Sequence, residues 1–405
     1  MSDPLTQSLD IFLHHEKVGT LSRLSHNATF FTFDEAYEHH KDRPILSQSY
    51  HARDGTLLLS TRAYGSTLPP FFENVLPEGP LRRYVAQEAG VKSSQSFELL
   101  RFLGHDLPGA LVAVLSYEKI PDTLIPINKE DVSKDSLLPY RFSLAGVQLK
   151  FSALMEHHGG LTLPAKGIGG NWIVKLPSLT YPHVPENEYA MMHLAHSVGI
   201  HVPAISLVSL KDISGLPPLG LLQGSYAFVI KRFDRHNAKR LHMEDFAQVY
   251  GLYPDDKYDK VSFTNITQMV WTLTGESGLC ALIQRLVFMI LTGNGDMHLK
   301  NWSFLYEDGR TPTLSPAYDL LSTIPYMPSD ELALSLCGER NMKLCTAKLF
   351  EKMSEKAGVP KRLVMNVLKD TVERTRHVWH EQKSAYALPK PMENAITEHM
   401  KRVPL

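Results

Sequence analysis

The chain has 405 residues, enough for about two or three domains. Its 42 Lys and Arg against 43 Asp and Glu leave a net charge of −1, which argues against a protein built mainly to coat nucleic acid. An apolar share of 43% supports ordinary cores, no apolar run reads as long enough to span a bilayer, and three cysteines suit free thiols in a reducing cytoplasm.

Residues 1–115 read as an α+β module. Phe12-Leu13 and Val18–Leu21 suggest short strands around a turn. Ala28–Phe33 and Leu57–Thr61 are further strand candidates. The Pro- and Gly-punctuated stretch Pro69–Gly79 predicts a short helical turn, and helices are expected over 80–90 and 94–103. Residues 116–139 are charged and contain several prolines, as in Glu118-Lys119-Ile120-Pro121-Asp122, and read as a linker. Residues 140–235 alternate strand candidates (Val147–Leu154, Trp172–Leu176, Tyr226–Arg232) with one helix, Glu186–His196, which Gly199 and Pro203 end. Residues 236–405 are dominated by helical spacing, at 264–274, 279–291, 345–356 and 360–380. The histidine pairs His14-His15, His39-His40 and His157-His158 point to different sides of any helix or strand, so they make poor metal ligands.

The most telling residues are Asp296 and Asn301 in Gly293-Asn294-Gly295-Asp296-Met297-His298-Leu299-Lys300-Asn301, after the apolar run Leu282–Leu291. Tyr318-Asp319 follows shortly downstream. Protein-kinase-like enzymes use such a set: one Asp takes the acceptor's proton, while an Asn five residues on and a second Asp hold magnesium against the phosphates. Phosphoryl transfer also wants a lysine at the phosphates, and Lys175 ends the apolar run Trp172–Val174. A buried lysine costs too much without an anion. Either Glu186 or Glu188 on the next helix could pair with it. With no equally good partner in the empty site, its removal is expected to harm catalysis more than stability. Ser143–Lys150, with one flexible glycine at Gly146, could cover the phosphates. Lys166–Gly170 is richer in glycine but reads equally as a hairpin turn. Phe228–Arg235 lies between the lobes, where an apolar strand would offer backbone groups to adenine and Asp234 could meet the ribose.

Taken together, the chain resembles the HipA-type serine/threonine kinases of bacterial toxin–antitoxin systems. In the N-terminal module the resemblance rests on Val18–Leu21, Phe71–Gly79 and Phe102–Ala110. In the core it rests on Ser143–Lys150, Ile173–Pro177, Asn187–Tyr189, Lys231–Arg235, Glu244–Gln248, Gly295–Asn301 and Tyr318–Leu320. It implies an α+β, protein-kinase-like bilobal fold. An N-terminal module covers 1–115, an N-lobe 140–235 and a helical C-lobe 236–405. It implies ATP and Mg2+ as cofactors, Asp296 as catalytic base, Asn301 and Asp319 as magnesium ligands, and Lys175 as the phosphate lysine. Ser143, Ala145, Gly146, Lys231, Phe233, Asp234 and His298 fall at the nucleotide, with Ser143 as an inhibitory autophosphorylation site. The implied partners are a protein substrate, such as an aminoacyl-tRNA synthetase whose modification arrests growth and gives persistence, and a helix-turn-helix antitoxin that mediates most DNA contact. A cytoplasmic protein with no membrane partner is expected. Two other readings remain: an idle pseudokinase serving as co-repressor, or a small-molecule kinase. The intact Lys175, Asp296, Asn301 and Asp319 weigh against the first. The N-terminal module and Ser143 weigh against the second.

Overall fold

A computed structural model of the chain describes residues 7–24, 27–59, 62–116, 150–155, 161–162, 170–178, 180–216, 224–236 and 239–405. Ser143, Ala145, Gly146, the Lys166–Gly169 stretch and all but the first residue of the 116–139 segment lie outside the described residues.

The N-terminal module opens with β1 (Gln7–Leu13) and β2 (Glu16–Arg23), an antiparallel hairpin turned at His14, which takes a positive φ of 56°. Leu9, Ile11 and Leu13 alternate along β1 and are all buried, as one face of a strand should be. With β3 (Thr29–Phe33) and β4 (Leu111–Leu115) they form a sheet of order β3-β2-β1-β4. The remaining elements of the module are α1 (Glu35–His39), α2 (Pro70–Asn74), α3 (Gly79–Glu88) and α4 (Ser96–Leu103). The expected strand at Leu57–Thr61 does not form over its described residues. Leu57 makes one isolated bridge to His51, and Leu58 and Leu59 are 45% and 53% exposed. β-forming residues without a partner edge remain loop.

The second sheet contains β5 (Lys150–Met155), β6 (Leu161–Thr162), β7 (Trp172–Lys175), β8 (Ile205–Ser209), β9 (Ile213–Ser214) and β10 (Tyr226–Lys231), in the order β8-β10-β7-β5-β6-β9. Strand alternation divides its side chains between two cores. Val174, Leu176, Ala227 and Val229 join the core of the N-terminal module. Ile173, Phe228 and Ile230 join the core of α5 (Val184–Ser197) and the C-terminal lobe. Lys175 shares the parity of Ile173, so its side chain is directed to the same side, toward α5 and the cleft.

β11 (Arg235–His236) and β12 (Lys239–Arg240) form a small hairpin. The C-terminal lobe then begins with β13 (His242–Asp245) and α6 (Phe246–Val249). β13 pairs with β14 (Ser303–Tyr306), which pairs with β15 (Thr313–Leu314). Its axis is α7 (Phe263–Thr292), against which α8 (Ala347–Ala357), α9 (Lys361–Gln382) and α10 (Lys390–Arg402) pack. The two helices expected at 264–274 and 279–291 are the two halves of α7, separated by a kink at Gly275, whose φ of 64° and ψ of −147° are non-helical. A reciprocal Ser262–Asn265 capping box starts α7. Counted across that kink, α7 is long and apolar enough by length and composition alone to pass for a membrane span. Its apolar side chains instead form the lobe's core, among them Leu282, Leu286, Phe288 and Ile290.

Two polar clusters join the N-terminal module to the rest. Arg232 donates to both Asp234 oxygens at 2.9 and 2.7 Å, while Arg232 and Arg235 reach Asp106 at 3.4 and 3.2 Å. The Gly109 N–H donates to Asp234 at 2.9 Å. Gly109 is needed there: its φ is +70°, and a Cβ would stand 2.7 Å from the Met243 nitrogen. Elsewhere, Glu244 is fully buried and accepts from Ser47 Oγ at 2.5 Å, the Gln48 N–H at 3.1 Å, and the Tyr306 hydroxyl. Burial pushes its carboxyl up to about 7 against these bonds.

Candidate active site

A cleft of about 250 Å³ opens between the second sheet and the C-terminal lobe. Lys175, Glu188, Lys231, Phe233, Asp234, Asp296, His298, Asn301 and Asp319 all line it. The chain thus brings together residues that lie far apart in sequence.

Lys175 sits at the end of β7 and Glu188 on α5. The ammonium contacts both Glu188 Oε1 and Asp319 Oδ1. It also lies 5.5 Å from the centre of the Phe228 ring, its register partner on β10. Burial pulls the lysine's pKa down, but the two carboxylates outweigh it and hold the group above its ordinary value. Glu188, not Glu186, is the partner. Glu186 faces His183 at 3.3 Å. The expectation that Lys175 lacks a good anion in the empty site is therefore corrected: folding supplies two. Asp319 holds a left-handed φ of 55°, an uncommon conformation for a non-glycine residue.

Asp296 is delivered by the end of α7. Gly293 stops that helix with φ 73°, and a Cβ there would approach Ile324 Cγ1 to 2.2 Å. The Gly295 N–H then donates to Thr323 Oγ1 at 2.9 Å, and the Asp296 N–H to Asn294 Oδ1 at 3.0 Å. Asn301 closes the loop: its Nδ2 donates to the Asp296 carbonyl at 2.8 Å. Water reaches the Asp296 carboxylate from the cleft, but protein encloses its other sides. That partial burial raises its pKa against the lowering effect of a 2.9 Å hydrogen bond from the Tyr258 hydroxyl and the charge of Lys257. His298 accepts the Lys300 N–H on Nδ1 at 3.2 Å, which places any proton of the neutral ring on Nε2. Burial, with help from Lys257, brings its pKa down to about 3, so the ring is neutral.

The strand leaving the small lobe differs from expectation in detail. The Lys231 N–H donates to Ala204 O and the Arg232 N–H to Asn171 O, both at 2.8 Å. The Lys231 side chain is exposed, and the Phe233 ring lies 5.5 Å from the Tyr318 ring. Asp234, expected to meet a ribose, has its oxygens engaged by Arg232, Arg235 and Gly109. A carboxylate so fully bonded is a structural brace between lobe and module.

Among the cleft residues that sequence reasoning did not assign are Asn74 and Glu78 from the N-terminal module, Lys257 and Tyr258 from the 253–260 loop, and Lys300. Glu78 stands within the quoted Phe71–Gly79 block, so the block was visible but its destination was not. No local pattern marks Tyr258.

The fold and cleft define a protein-kinase-like α+β architecture with a small sheet lobe, a helical lobe and an added N-terminal module. A family model for the HipA-like C-terminal domain matches residues 142–379, and one for the HipA N-terminal domain matches 9–114. The chain belongs to the HipA-like kinase family. It is 46% identical over 406 positions to Y4dM of Sinorhizobium fredii, which carries a provisional kinase name, covering 99% of this chain and 98% of that one. It is 28% identical to the serine/threonine-protein kinase toxin HipA of Shewanella oneidensis, over 91% of this chain and 87% of that protein. The solved Shewanella oneidensis HipA, in complex with HipB and operator DNA, superposes with a TM-score of 0.72. At 21% identity it covers 98% of this chain and 95% of that one, a likeness of fold.

Proposed function

We propose that the protein is an ATP- and magnesium-dependent serine/threonine protein kinase of the HipA type. The observation that carries this reading is the convergence of Lys175, Glu188 and Asp319 with Asp296 and Asn301 on one cleft. In this reading Asp296 orients the acceptor hydroxyl and takes its proton, and its raised pKa suits a base working near neutral pH. Lys175 keeps its pair with Glu188 as it reaches the phosphates, and exchanges only Asp319, which turns to magnesium.

Magnesium fits the donor set. Asn301 uses Nδ2 on the Asp296 carbonyl, so its Oδ1 is the ligand atom, and Asp319 supplies a carboxylate. Among the described residues no cluster of three or more His, Cys, Asp or Glu could cage a metal alone, which suits an ion that shares phosphate oxygens and water. When bound, it would neutralise charge developing on the transferred phosphoryl group. Adenine would meet backbone at Phe233, because the N–H groups of Lys231 and Arg232 are already used.

The reading extends to inhibitory autophosphorylation at Ser143, a helix-turn-helix antitoxin partner that carries most DNA contact, and a cytoplasmic substrate such as an aminoacyl-tRNA synthetase. The likeness to a HipA solved with HipB and DNA supports the partner. The test is transfer of labelled γ-phosphate from magnesium–ATP to lysate proteins. Wild type should label a discrete protein. Asp296→Asn should lose about a thousandfold in rate while keeping its circular-dichroism spectrum. Near-normal labelling by the variant would overturn the assignment.

A further inference from the structure

Glu78 immediately precedes α3 as its N-cap, yet its side chain makes no cap hydrogen bond to that helix. It reaches instead across the module boundary. Oε2 accepts from Lys257 Nζ at 2.6 Å, and Oε1 forms an ion pair with Lys300 Nζ at 2.7 Å. Lys300 Nζ also donates to the Asn74 carbonyl at 2.9 Å. Burial would raise the glutamate's pKa, but the two lysines bring it down to about 2, so it is ionised at any working pH.

These groups share a cleft with Asp296, whose carboxylate feels the charge of Lys257. Lys300 is in the same loop, one residue before Asn301, and its N–H fixes the His298 ring. Lys257 is next to Tyr258, whose hydroxyl holds the Asp296 carboxylate. Glu78, Lys257, Lys300 and Asp296 all line one cleft. Two ammonium groups this close would repel one another without an anion between them. Glu78 removes that repulsion and leaves the trio one net positive charge, which faces Asp245 as well as the cleft where a phosphoryl group would sit.

We infer that Glu78 is a positioning residue for phosphoryl transfer, through which the N-terminal module holds Lys257 and Lys300 beside Asp296 as cations for the transferring phosphate. The inference rests on the kinase reading above. It gives the N-terminal module a part in the chemistry as well as in packing. A purely structural Glu78 would act through the folded fraction alone. A positioning Glu78 acts on turnover in molecules that are folded and hold ATP.

The experiment uses the full chain and labelled magnesium–ATP, with lysate proteins as acceptors, at a temperature where every variant is folded. Glu78→Gln keeps the side chain's size and removes its charge. It should lower kcat at least about tenfold while ATP KM stays within about threefold. Lys300→Met should cause a similar fall, and the two changes together should cost little more than either alone. Glu78→Asp, charged but too short to serve both lysines, should fall between. Asp42→Asn, on an exposed pair with Arg310, is the control and should match wild type. Wild-type kcat in Glu78→Gln, or full additivity with Lys300→Met, would overturn the inference. If Glu78→Gln fails to fold, an Asp variant with wild-type kcat would overturn it equally. A wild-type chain that transfers nothing would instead sink the kinase reading itself.

Discussion

Replacing Lys175 with Met tests what the lysine contributes to the fold around the cleft. The lysine ammonium is bracketed by Glu188 and Asp319, and the three side chains are 5%, 2% and 19% exposed. Removing it takes the shared cation from two carboxylates of a buried cluster, and breaking a buried pair costs about 3–5 kcal/mol in comparable cases. Two effects limit it here. Glu188 can escape by taking a proton, which from an ordinary glutamate pKa costs about 3.7 kcal/mol at pH 7. Asp319 is partly in water, so its share is screened. A net loss of about 2–4 kcal/mol at pH 7 is expected. The sign with pH follows. With its cation gone, burial of Glu188 disfavours the charged carboxylate, so the penalty is expected to be largest at high pH and to fade as pH falls. The gap to wild type should close by at most about 1.4 kcal/mol per pH unit for one such group. Urea unfolding followed by tryptophan fluorescence at pH 7, 6 and 5 measures this. Lys175→Met with Glu188→Gln should regain much of the loss at pH 7, because one buried negative charge is gone. A single variant within about 0.5 kcal/mol of wild type at every pH would refute the reasoning. It would mean that the pairs contribute nothing to the fold.

Three further outcomes are expected. The acid limb of the kcat–pH profile should lie above the ordinary aspartate range, because Asp296 must be ionised and burial raises its pKa. Tyr258→Phe removes a bond that favours the ionised form and should move that limb to higher pH, and a shift the other way contradicts this. Arg232→Met should cost about 3–5 kcal/mol, measured by denaturation. Burial alone would raise Asp234, but Arg232 and Arg235 hold it well below the usual carboxylate range. That stability is present above the unfolded pKa and lost in acid, so the variant should be the less acid-sensitive protein. Glu244→Gln should flatten a different slope. The folded carboxyl titrates near 7, above its unfolded value, so wild type loses about 3 kcal/mol of stability as pH rises from about 4.5 to 7 and beyond. The variant's melting temperature should change less between pH 5 and 8, and an unchanged slope would contradict the assignment.

Strands and helices with strong periodicity were legible from residue order. β7, β10, α5, α8 and α9 lie within a few residues of their expected spans: the helices because a buried face imposes a repeat of 3.6, the strands because they are short apolar runs rich in β-branched and aromatic residues. Spacing also exposed Asp296 and Asn301. They share one loop, and the Asn301 side chain bonds the Asp296 carbonyl, so the pair is a local structure. β4 (Leu111–Leu115), buried on both sides like β10, was missed: a short apolar run without alternation does not by itself declare a strand. Leu57–Thr61 misled because propensity says nothing about whether a partner edge exists.

What local order could not determine was every pairing across long separations. Glu186 and Glu188 are equivalent in sequence. Only the rotation of α5 against β10 turns Glu188 to Lys175 and leaves Glu186 with His183. Asp234 reads as a free carboxylate until Asp106 and Gly109 arrive from the N-terminal module to complete its cluster with Arg232 and Arg235. Glu78 reads as punctuation before a helix until the lobes close and present Lys257 and Lys300 to it. Backbone patterning is set by neighbours a few residues away, whereas a buried charge takes its meaning from whichever opposite charge the tertiary fold brings within contact distance.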